Sequence, residues 1–478
     1  MMLAKKIAYN TIISIGARVI GVALSLVSLG LIARYLGKED FGSYSLVLAF
    51  LSIFNILADL GLYSLMTREV SRPEADEKKI ASNIFSLRIV VLLISLVIAV
   101  LLVWLFPYPS KVKIGVIIGS FSFLFLSSSQ VLMGIFQKYL RTDKAALAEV
   151  IGRIFQLALV FYFIFADFGF FFILVALVIS SGIIFILNII FARQHIPISL
   201  SFDKEYWKKI IRTTLPIAVS IVLTLIYFKI DSVFLSLNFI NRSSSNPIAD
   251  VGIYNIAYKV LEGIIFIPSM FVGLIMPLLS EFAFSNRDKF KKIFQKSLDI
   301  IIIFAVPAVI GIFFLSSPIV RLIGGENFNE SVFVLQILSF AIGLIFLGTL
   351  FGNSIIALNK QKTGAWIYFS GMLFNIITNL IFIPKYSYLG AAITTVFTEF
   401  IVTLLMFILI WKTISYFPLF SVIFKSLFAG LIMGIFIYYF QAWNLFLLVG
   451  GGIIIYLGTL YLIKGIRKDE LLSLVSRR

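Results

Sequence analysis

The sequence from residue 10 to residue 34, NTIISIGARVIGVALSLVSLGLIAR, decides the class of fold. It is apolar over a length sufficient to cross a bilayer, which requires about 20 helical residues. Its length and the charged Arg18 within it make it unlike a cleavable signal peptide, so we interpret it as the first membrane helix. Similar stretches recur along the whole chain of 478 residues, which is 60% hydrophobic and 13% charged. This composition predicts an integral membrane protein.

Fourteen such stretches predict an all-α membrane protein with 14 transmembrane helices. The predicted spans are 10–34, 41–66, 80–106, 113–137, 145–166, 168–192, 212–238, 251–278, 298–320, 331–358, 363–383, 388–411, 421–440 and 443–463. No connector predicted to lie outside the cell exceeds about a dozen residues, which leaves no room for an extracellular catalytic domain.

The basic residues predict the orientation of these spans. Of the 40 Lys and Arg residues, 28 lie in or beside alternate connectors that begin with the N-terminus, and 7 lie in the other connectors. Cytoplasmic connectors carry the excess of basic residues, so we expect a multi-pass protein of the cell membrane with both termini in the cytoplasm. The net charge of +17 is then a signal of topology, and we expect no nucleic-acid partner.

The sequence lacks cysteine and shows no recognisable catalytic motif. The absence of cysteine excludes disulfides, thiol nucleophiles and cysteine-bound metals. No nucleotide-binding glycine loop, zinc motif or catalytic triad is visible. We therefore expect neither a cofactor, nor a metal, nor an enzymatic activity.

Two short motifs indicate an internal duplication. The sequence DFGSY at 40–44 opens the second span, and DVGIY at 250–254 opens the eighth. A parallel repeat of this kind is typical of transporters built from two bundles. The predicted units are an N-terminal six-helix bundle at 1–192, a cytoplasmic linker at 193–211, a C-terminal six-helix bundle at 212–411, and two additional helices with a basic cytoplasmic tail at 412–478.

The connector from 193 to 212 is also rich in basic residues. It contains Tyr206 and Trp207 among the cations. This pattern favours an interfacial amphipathic helix bound to anionic lipid, and the alternative is a regulatory site.

Five cations interrupt the predicted spans, although a charge at that depth costs about 2.5 kcal/mol or more. They are Arg18, Arg88, Arg153, Lys229 and Lys259. The three arginines lie about eight residues, or roughly 12 Å, from the predicted cytoplasmic ends of their spans, and the two lysines lie nearer the other side. Together they predict a cationic central cavity that binds an anionic substrate.

Nearby acids offer a purely structural alternative for some of these cations. Glu149 lies four residues from Arg153 and Glu262 lies three residues from Lys259, so each pair can form an ion pair on one helix face. Asp59 is a partner for Arg88 at similar depth. Arg18 has no acid in its own span. We therefore rank Arg18 and Lys259 first as substrate-binding residues, and we favour structural pairing for Arg88.

Three carboxylates within the spans are candidates for coupling transport to an ion. They are Asp59, Asp231 and Glu399. A buried carboxylate without an ion partner titrates near neutrality, whereas an ion-paired one does not. The coupling ion expected from such groups is H⁺ or Na⁺.

Several motifs in order along the chain carry a resemblance to a known family. They are ARYLG at 33–37 running into DFGSY, ADLGL at 58–62 before Arg68-Glu69, KID at 229–231, and GIY at 252–254 before Tyr258-Lys259. In these motifs the chain resembles the Wzx-type polysaccharide biosynthesis flippases of the multidrug/oligosaccharidyl-lipid/polysaccharide exporter (MOP) superfamily.

The resemblance implies a MATE-like transporter that moves polyprenyl-linked oligosaccharide by alternating access between its bundles. It would work with the glycosyltransferases of a polysaccharide pathway. Two alternatives share the fold, a lipid II exporter and a cation-coupled drug exporter, but drug exporters usually carry an acid in the first helix, where this chain has Arg18. A membrane glycosyltransferase or polymerase is a third alternative. Such an enzyme usually needs acidic or basic catalytic residues in a sizeable exoplasmic loop. The longest predicted exoplasmic loop of this chain, 239–250, contains only Arg242 and Asp250 as charged residues.

Overall fold

The structure, a computed structural model, describes the backbone of residues 2–59 and 61–465. Side chains are described from residue 13 onward within these ranges, except those of residues 15, 64 and 213–227. All regular secondary structure in this part of the chain is helical. The helices are α1 (Met2–Leu57), α2 (Leu62–Val70), α3 (Glu77–Leu102), α4 (Ser110–Lys138), α5 (Thr142–Phe165), α6 (Phe170–Arg193), α7 (Lys204–Leu235), α8 (Pro247–Ile264), α9 (Phe266–Ser285), α10 (Arg287–Gly324), α11 (Ser331–Ala357), α12 (Gln361–Ile414), α13 (Ser421–Tyr439) and α14 (Leu445–Leu462).

Eleven helical stretches among the described residues are long and apolar enough to cross a membrane, which confirms an all-α, multi-pass membrane protein. Two of these stretches each contain two helical segments. α1 changes direction at Gly37 (φ 68°) and α12 at Ser387 (φ 49°), and both residues fall within predicted connectors. Most of the predicted span 212–238 lies in α7, where side chains 213–227 are outside the described residues.

The chain forms two compact units that meet in sequence between Gly252 and Ile253. In the first unit, α1 packs on α5, α4 packs on α6, and the short α2 packs on α4. In the second unit, α11 packs on α10 and α12, and α13 packs on α10. The division into bundles at 193–211 stays a prediction.

The two repeated motifs contact each other within the first unit. A Cβ atom on Gly42 would overlap the carbonyl oxygen of Ile248, and a Cβ atom on Gly252 would overlap that of Lys38. Gly42 therefore lies against the carbonyl group four residues before Gly252, and Gly252 lies against the carbonyl group four residues before Gly42. Only a residue without a side chain permits backbones to cross this closely, which explains why both copies of the motif carry glycine.

Two predicted spans contain a break that the apolar pattern does not show. The predicted span 41–66 is interrupted after Leu57, and the chain resumes as a helix at Leu62. The predicted span 251–278 is interrupted at Ile265, between α8 and α9. Pro268 explains the second break, because its ring clashes with the carbonyl of Ile264 and it has no N–H to donate.

Candidate substrate-binding site

Arg88 lies in α3 and its side chain is completely buried, with 0% exposure. Its Nη1 atom lies 3.0 Å from Asp59 Oδ1 and donates to the carbonyl oxygen of Ala58 at 2.6 Å. Its Nε donates to the carbonyl oxygen of Ser127 at 3.3 Å, and its Nη2 donates to the Ser127 hydroxyl. That hydroxyl donates in turn to Asn55 Oδ1. The predicted pairing of Arg88 with Asp59 is confirmed.

This network stabilises the break after Leu57. A helix that ends inside a membrane leaves carbonyl groups without donors, and each such group costs several kcal/mol in lipid. Arg88 supplies a donor to Ala58, and Ser95 donates its hydroxyl to the carbonyl of Phe54 at 2.7 Å. The guanidinium of Arg88 therefore has donors committed to Ala58, to Ser127 of α4 and to Asp59.

Asn55 and Ser127 belong to this network, and sequence reasoning missed both. Asn55 lies four residues before Asp59, so the two polar groups share one helix face. Together with Gly61, which has a φ of 66°, they mark the end of a helix in an otherwise apolar run. No comparable sequence signal identifies Ser127, because its role depends on the approach of α4.

Arg153 lies in α5 and is only partly buried. Its Nη1 donates to Gln156 Oε1 at 2.9 Å. Its Nε is buried and has no acceptor among the described residues. The ion pair with Glu149, which was the structural alternative for Arg153, is not formed between these two described residues. Among the described residues, no carboxylate forms an ion pair with Arg153.

The Glu149 carboxylate instead lies against α1. Its Oε1 is 3.9 Å from the position that a Cβ atom on Gly21 would occupy. Arg18 lies three residues before Gly21 and hence on the same face of α1. The side chain of Arg18 is exposed. The α1–α5 interface thus brings the helix face of Arg18 to the helix that carries Glu149 and Arg153.

Lys229 and Asp231 both lie in α7, next to the residues whose side chains are not described. Lys229 is half-buried and Asp231 is 1% exposed. Their assignment to substrate and to ion coupling stays a prediction.

Lys259 lies in α8 of the second unit. Its Nζ is 2.6 Å from Glu262 Oε2, and the two side chains are 28% and 32% exposed. The ion pair that was the structural alternative for Lys259 is therefore formed. Because both groups remain partly accessible, the pair can exchange Glu262 for another anion, and the role of Lys259 in substrate binding stays a prediction.

Glu399 lies in the second segment of α12 and is 4% exposed. The two segments of α12 face each other through a polar seam, where Asn375 Nδ2 donates to Thr398 Oγ1 at 3.3 Å. Asn379 Nδ2 donates to Asn375 Oδ1 at 3.0 Å in the same seam. Glu399 is thus next in sequence to Thr398, which belongs to this buried polar seam. No group of three or more His, Cys, Asp or Glu residues with metal-binding geometry occurs in the described part of the chain.

Two curated relatives are similar to this chain over most of its length. The capsular polysaccharide biosynthesis protein CapF of Staphylococcus aureus is 25% identical over 393 residues, covering 80% of this chain and 94% of CapF. The protein named "Probable low-salt glycan biosynthesis flippase Agl15" of Haloferax volcanii is 23% identical over 389 residues, covering 79% of this chain and 78% of that protein.

Solved structures show the same fold. The lipid II flippase MurJ in an inward closed conformation superposes with a TM-score of 0.75 at 18% identity, over 95% of this chain and 98% of MurJ. A multidrug resistance MATE transporter of the MOP superfamily in an inward-facing conformation gives a TM-score of 0.66 at 17% identity, over 85% of this chain and 98% of the transporter. The predicted MATE-like fold is therefore confirmed.

The sequence profile of one family covers more than half of the chain. The family is described as polysaccharide biosynthesis protein, and its profile matches residues 7–283. This range includes the Arg88 network, Arg153 and both copies of the repeated motif. The chain therefore belongs to the polysaccharide biosynthesis protein family.

Proposed function

We propose that the protein flips lipid-linked oligosaccharide, carried on a polyprenyl diphosphate or phosphate, from the cytoplasmic to the exoplasmic leaflet. The transport follows alternating access, with a cationic cavity that binds the phosphate of the carrier. The observation that carries this proposal is Arg153, a guanidinium inside an apolar helix whose buried Nε has no acceptor among the described residues. The family and the MurJ-like fold support the same substrate class.

Phosphate chemistry fits the cations that the chain presents. A guanidinium binds phosphate oxygens in pairs, whereas an ammonium acts as a point charge. Arg153 has a buried Nε without an acceptor among the described residues, and Arg18 lies exposed on the helix that packs against α5, so we assign both to the first contact with phosphate. Lys259 is held by Glu262 at 2.6 Å and accepts the phosphate by exchange. Lys229 is assigned to the same path, and Arg88 to the stability of the bundle.

The proposed topology has fourteen spans in two six-helix bundles followed by two helices, with both termini in the cytoplasm. Counting the two segments of α1 and of α12 separately, and adding α7, brings the eleven candidate stretches to this number. The distribution of Lys and Arg supports the orientation.

Ion coupling is assigned to Glu399 in preference to Asp59. The carboxylate of Asp59 is already engaged in an ion pair with Arg88 at 3.0 Å. Glu399 lies beside a layer of amide and hydroxyl groups. Their oxygen atoms can coordinate Na⁺ or accept a hydrogen bond from a protonated carboxyl group. A Glu399→Gln variant is expected to lose the dependence of flipping on a H⁺ or Na⁺ gradient and to keep substrate binding.

The test is flipping in proteoliposomes. A polyprenyl-diphosphate-linked oligosaccharide with a fluorescent sugar is reconstituted with the protein, and its arrival in the opposite leaflet is measured by quenching. Arg18→Gln and Arg153→Gln are each expected to slow flipping at least about tenfold, which corresponds to about 1.4 kcal/mol. Lys362→Gln removes an exposed cation near the start of α12 and serves as the control. Unchanged flipping in both arginine variants would exclude the cationic cavity.

Lipid II export is the second candidate, because the chain shares the fold of MurJ over 95% of its length. The same proteoliposomes loaded with lipid II separate the two functions. Faster flipping of lipid II than of the oligosaccharide would favour this candidate. Transport of cationic drugs without either lipid would instead favour drug export.

A further inference from the structure

A basic pocket lies at the N-terminal turns of α7, outside the cavity proposed for the substrate. It has a volume of about 450 Å³ and is lined by Lys204, Trp207, Lys208, Ile211 and Arg212. These positions recur every three to four residues, so all five side chains share one face of the helix. Lys204, Lys208 and Arg212 are exposed. The size is within the range of small-molecule sites.

The acids near this pocket do not neutralise it. Asp203 is held on the N-terminus of α7 by the backbone N–H of Tyr206 and forms an ion pair with Lys79 at 3.2 Å. The N–H of Tyr206 and the ammonium of Lys79 lower the pKa of Asp203 below its ordinary value. Glu205 is exposed and lies on the same side of the helix as Lys208 and Arg212, but no ion pair joins it to either of these described residues. Three cations therefore face the pocket together.

Apolar side chains border the same pocket and point to a membrane surface. Leu200 and Phe202 are 63% and 62% exposed, although they lie just before the first turn of α7. The ring of Phe202 packs against that of Trp207, with centroids 5.6 Å apart. Basic residues beside exposed aromatic and aliphatic side chains are the pattern of the headgroup region. The Nε1 of Trp207 is buried and has no acceptor among the described residues.

The linker holds this pocket in a fixed place on the first unit. The backbone N–H groups of Ser199 and Ser201 donate to the hydroxyls of Ser82 and Ser86 on α3, at 3.1 and 2.8 Å. The N–H of Asp203 donates to Asn83 Oδ1 at 3.0 Å. From Ser199 to Asp203, every second residue of the linker is thus hydrogen-bonded to α3. A site fixed in this way does not have to be ordered when a ligand binds.

We propose that this pocket binds the headgroup phosphate of an anionic phospholipid of the surrounding membrane. The phosphate lies among the three cations, and the acyl chains run along Leu200 and Phe202. Bulk lipid is the occupant because the pocket is bordered by exposed apolar side chains, and because three cations are concentrated there. The site is distinct from the substrate path, so its test does not depend on flipping.

The test is lipid binding to the purified full chain in detergent, measured by native mass spectrometry. Phosphatidylglycerol and phosphatidylcholine with identical acyl chains are titrated separately. A cation near a membrane surface contributes about 1 kcal/mol, or roughly fivefold in affinity. The variant K204Q/K208Q/R212Q is therefore expected to bind phosphatidylglycerol at least about tenfold more weakly and phosphatidylcholine as before.

A matched control removes the same charge elsewhere. Lys360, Lys362 and Lys412 are exposed cations at the two ends of α12, and K360Q/K362Q/K412Q is expected to change phosphatidylglycerol binding less than twofold. Equal losses in the two triple variants would overturn the proposal, since they would indicate general charge attraction. It would also be overturned if polyprenyl diphosphate, and not phosphatidylglycerol, lost affinity in the pocket variant. Unfolding temperatures of both variants verify that the fold is intact.

Discussion

Arg88 and Arg153 lie in helices of the same unit and both interrupt apolar sequence, yet their surroundings differ. Arg88 is completely buried and directs its nitrogens at Asp59, at the Ala58 carbonyl and at Ser127. Arg153 is partly buried and donates to the neutral side chain of Gln156. The two cations thus differ in role: Arg88 satisfies backbone and side-chain groups at a broken helix, whereas Arg153 has a buried Nε without an acceptor among the described residues.

The largest effect is expected for Arg88→Gln. Removing the guanidinium leaves Asp59 without its ion partner and the Ala58 carbonyl without its donor. Breaking a buried ion pair from one side costs about 3–5 kcal/mol, so we expect a marked loss of folded protein. The measurement is thermal unfolding of the detergent-purified chain. The double variant Arg88→Met with Asp59→Asn is the control, because it removes both charges and should recover part of the loss relative to Arg88→Met. Unfolding of Arg88→Gln at the temperature of the unaltered protein would contradict a structural role.

The second-largest effect is expected for Ser127→Ala, which tests the hydrogen bonds between Arg88 and α4. Ser127→Ala removes the hydroxyl that accepts from Arg88 and donates to Asn55. Leaving buried polar partners unsatisfied costs about 1–3 kcal/mol. We expect an unfolding temperature between those of the unaltered protein and Arg88→Gln. Ser129→Ala is the control on the same helix, because its hydroxyl donates only to the Phe125 carbonyl of α4 itself. An equal shift in the two serine variants would show that the network adds nothing to an ordinary helix serine.

The sequence was sufficient to predict the membrane class, the helical fold and the pairing of Arg88 with Asp59. These depend on the length of apolar runs, on basic residues in connectors, and on charges that must be balanced. The break at residues 58–61 was not predicted, because hydropathy averages over a span and does not register a missing helical hydrogen bond. Pro268 is a local sequence signal for a helix break, so the break at Ile265 could have been predicted.

The spacing of Glu149 and Arg153 allowed an ion pair that these two described residues do not form, for a related reason. A four-residue spacing places Glu149 and Arg153 on one helix face, but it does not determine which neighbouring helix each side chain meets. Glu149 lies against Gly21 of α1. Tertiary contacts of this kind depend on helix packing, which the local spacing of charges does not determine.

Arg153 is expected to respond oppositely to Arg88. Arg153→Gln loses no carboxylate partner, so its free energy of unfolding should change by less than about 1 kcal/mol, the range of ordinary surface changes. Arg153→Lys keeps the charge but loses the planar fork, and its flipping rate should fall between those of the unaltered protein and Arg153→Gln. Parallel unfolding and flipping measurements separate the two roles. A loss of stability that accounts for the loss of flipping would place Arg153 with Arg88.

The smallest effect on stability is expected at Lys259, which combines features of both arginines. It has a carboxylate partner, as Arg88 does, but the pair is about one-third exposed and spans only three residues of one helix. Such pairs contribute about 0.2–0.5 kcal/mol, so Lys259→Gln and Glu262→Gln should each unfold within a few degrees of the unaltered protein. Their effects on flipping should differ in sign if Glu262 competes with the substrate phosphate for Lys259. Lys259→Gln would then bind the polyprenyl diphosphate more weakly, and Glu262→Gln would bind it more tightly in a direct binding titration. Equal weakening in both variants would instead show that the ion pair itself shapes the helix, and Lys259 would join Arg88 as a structural cation.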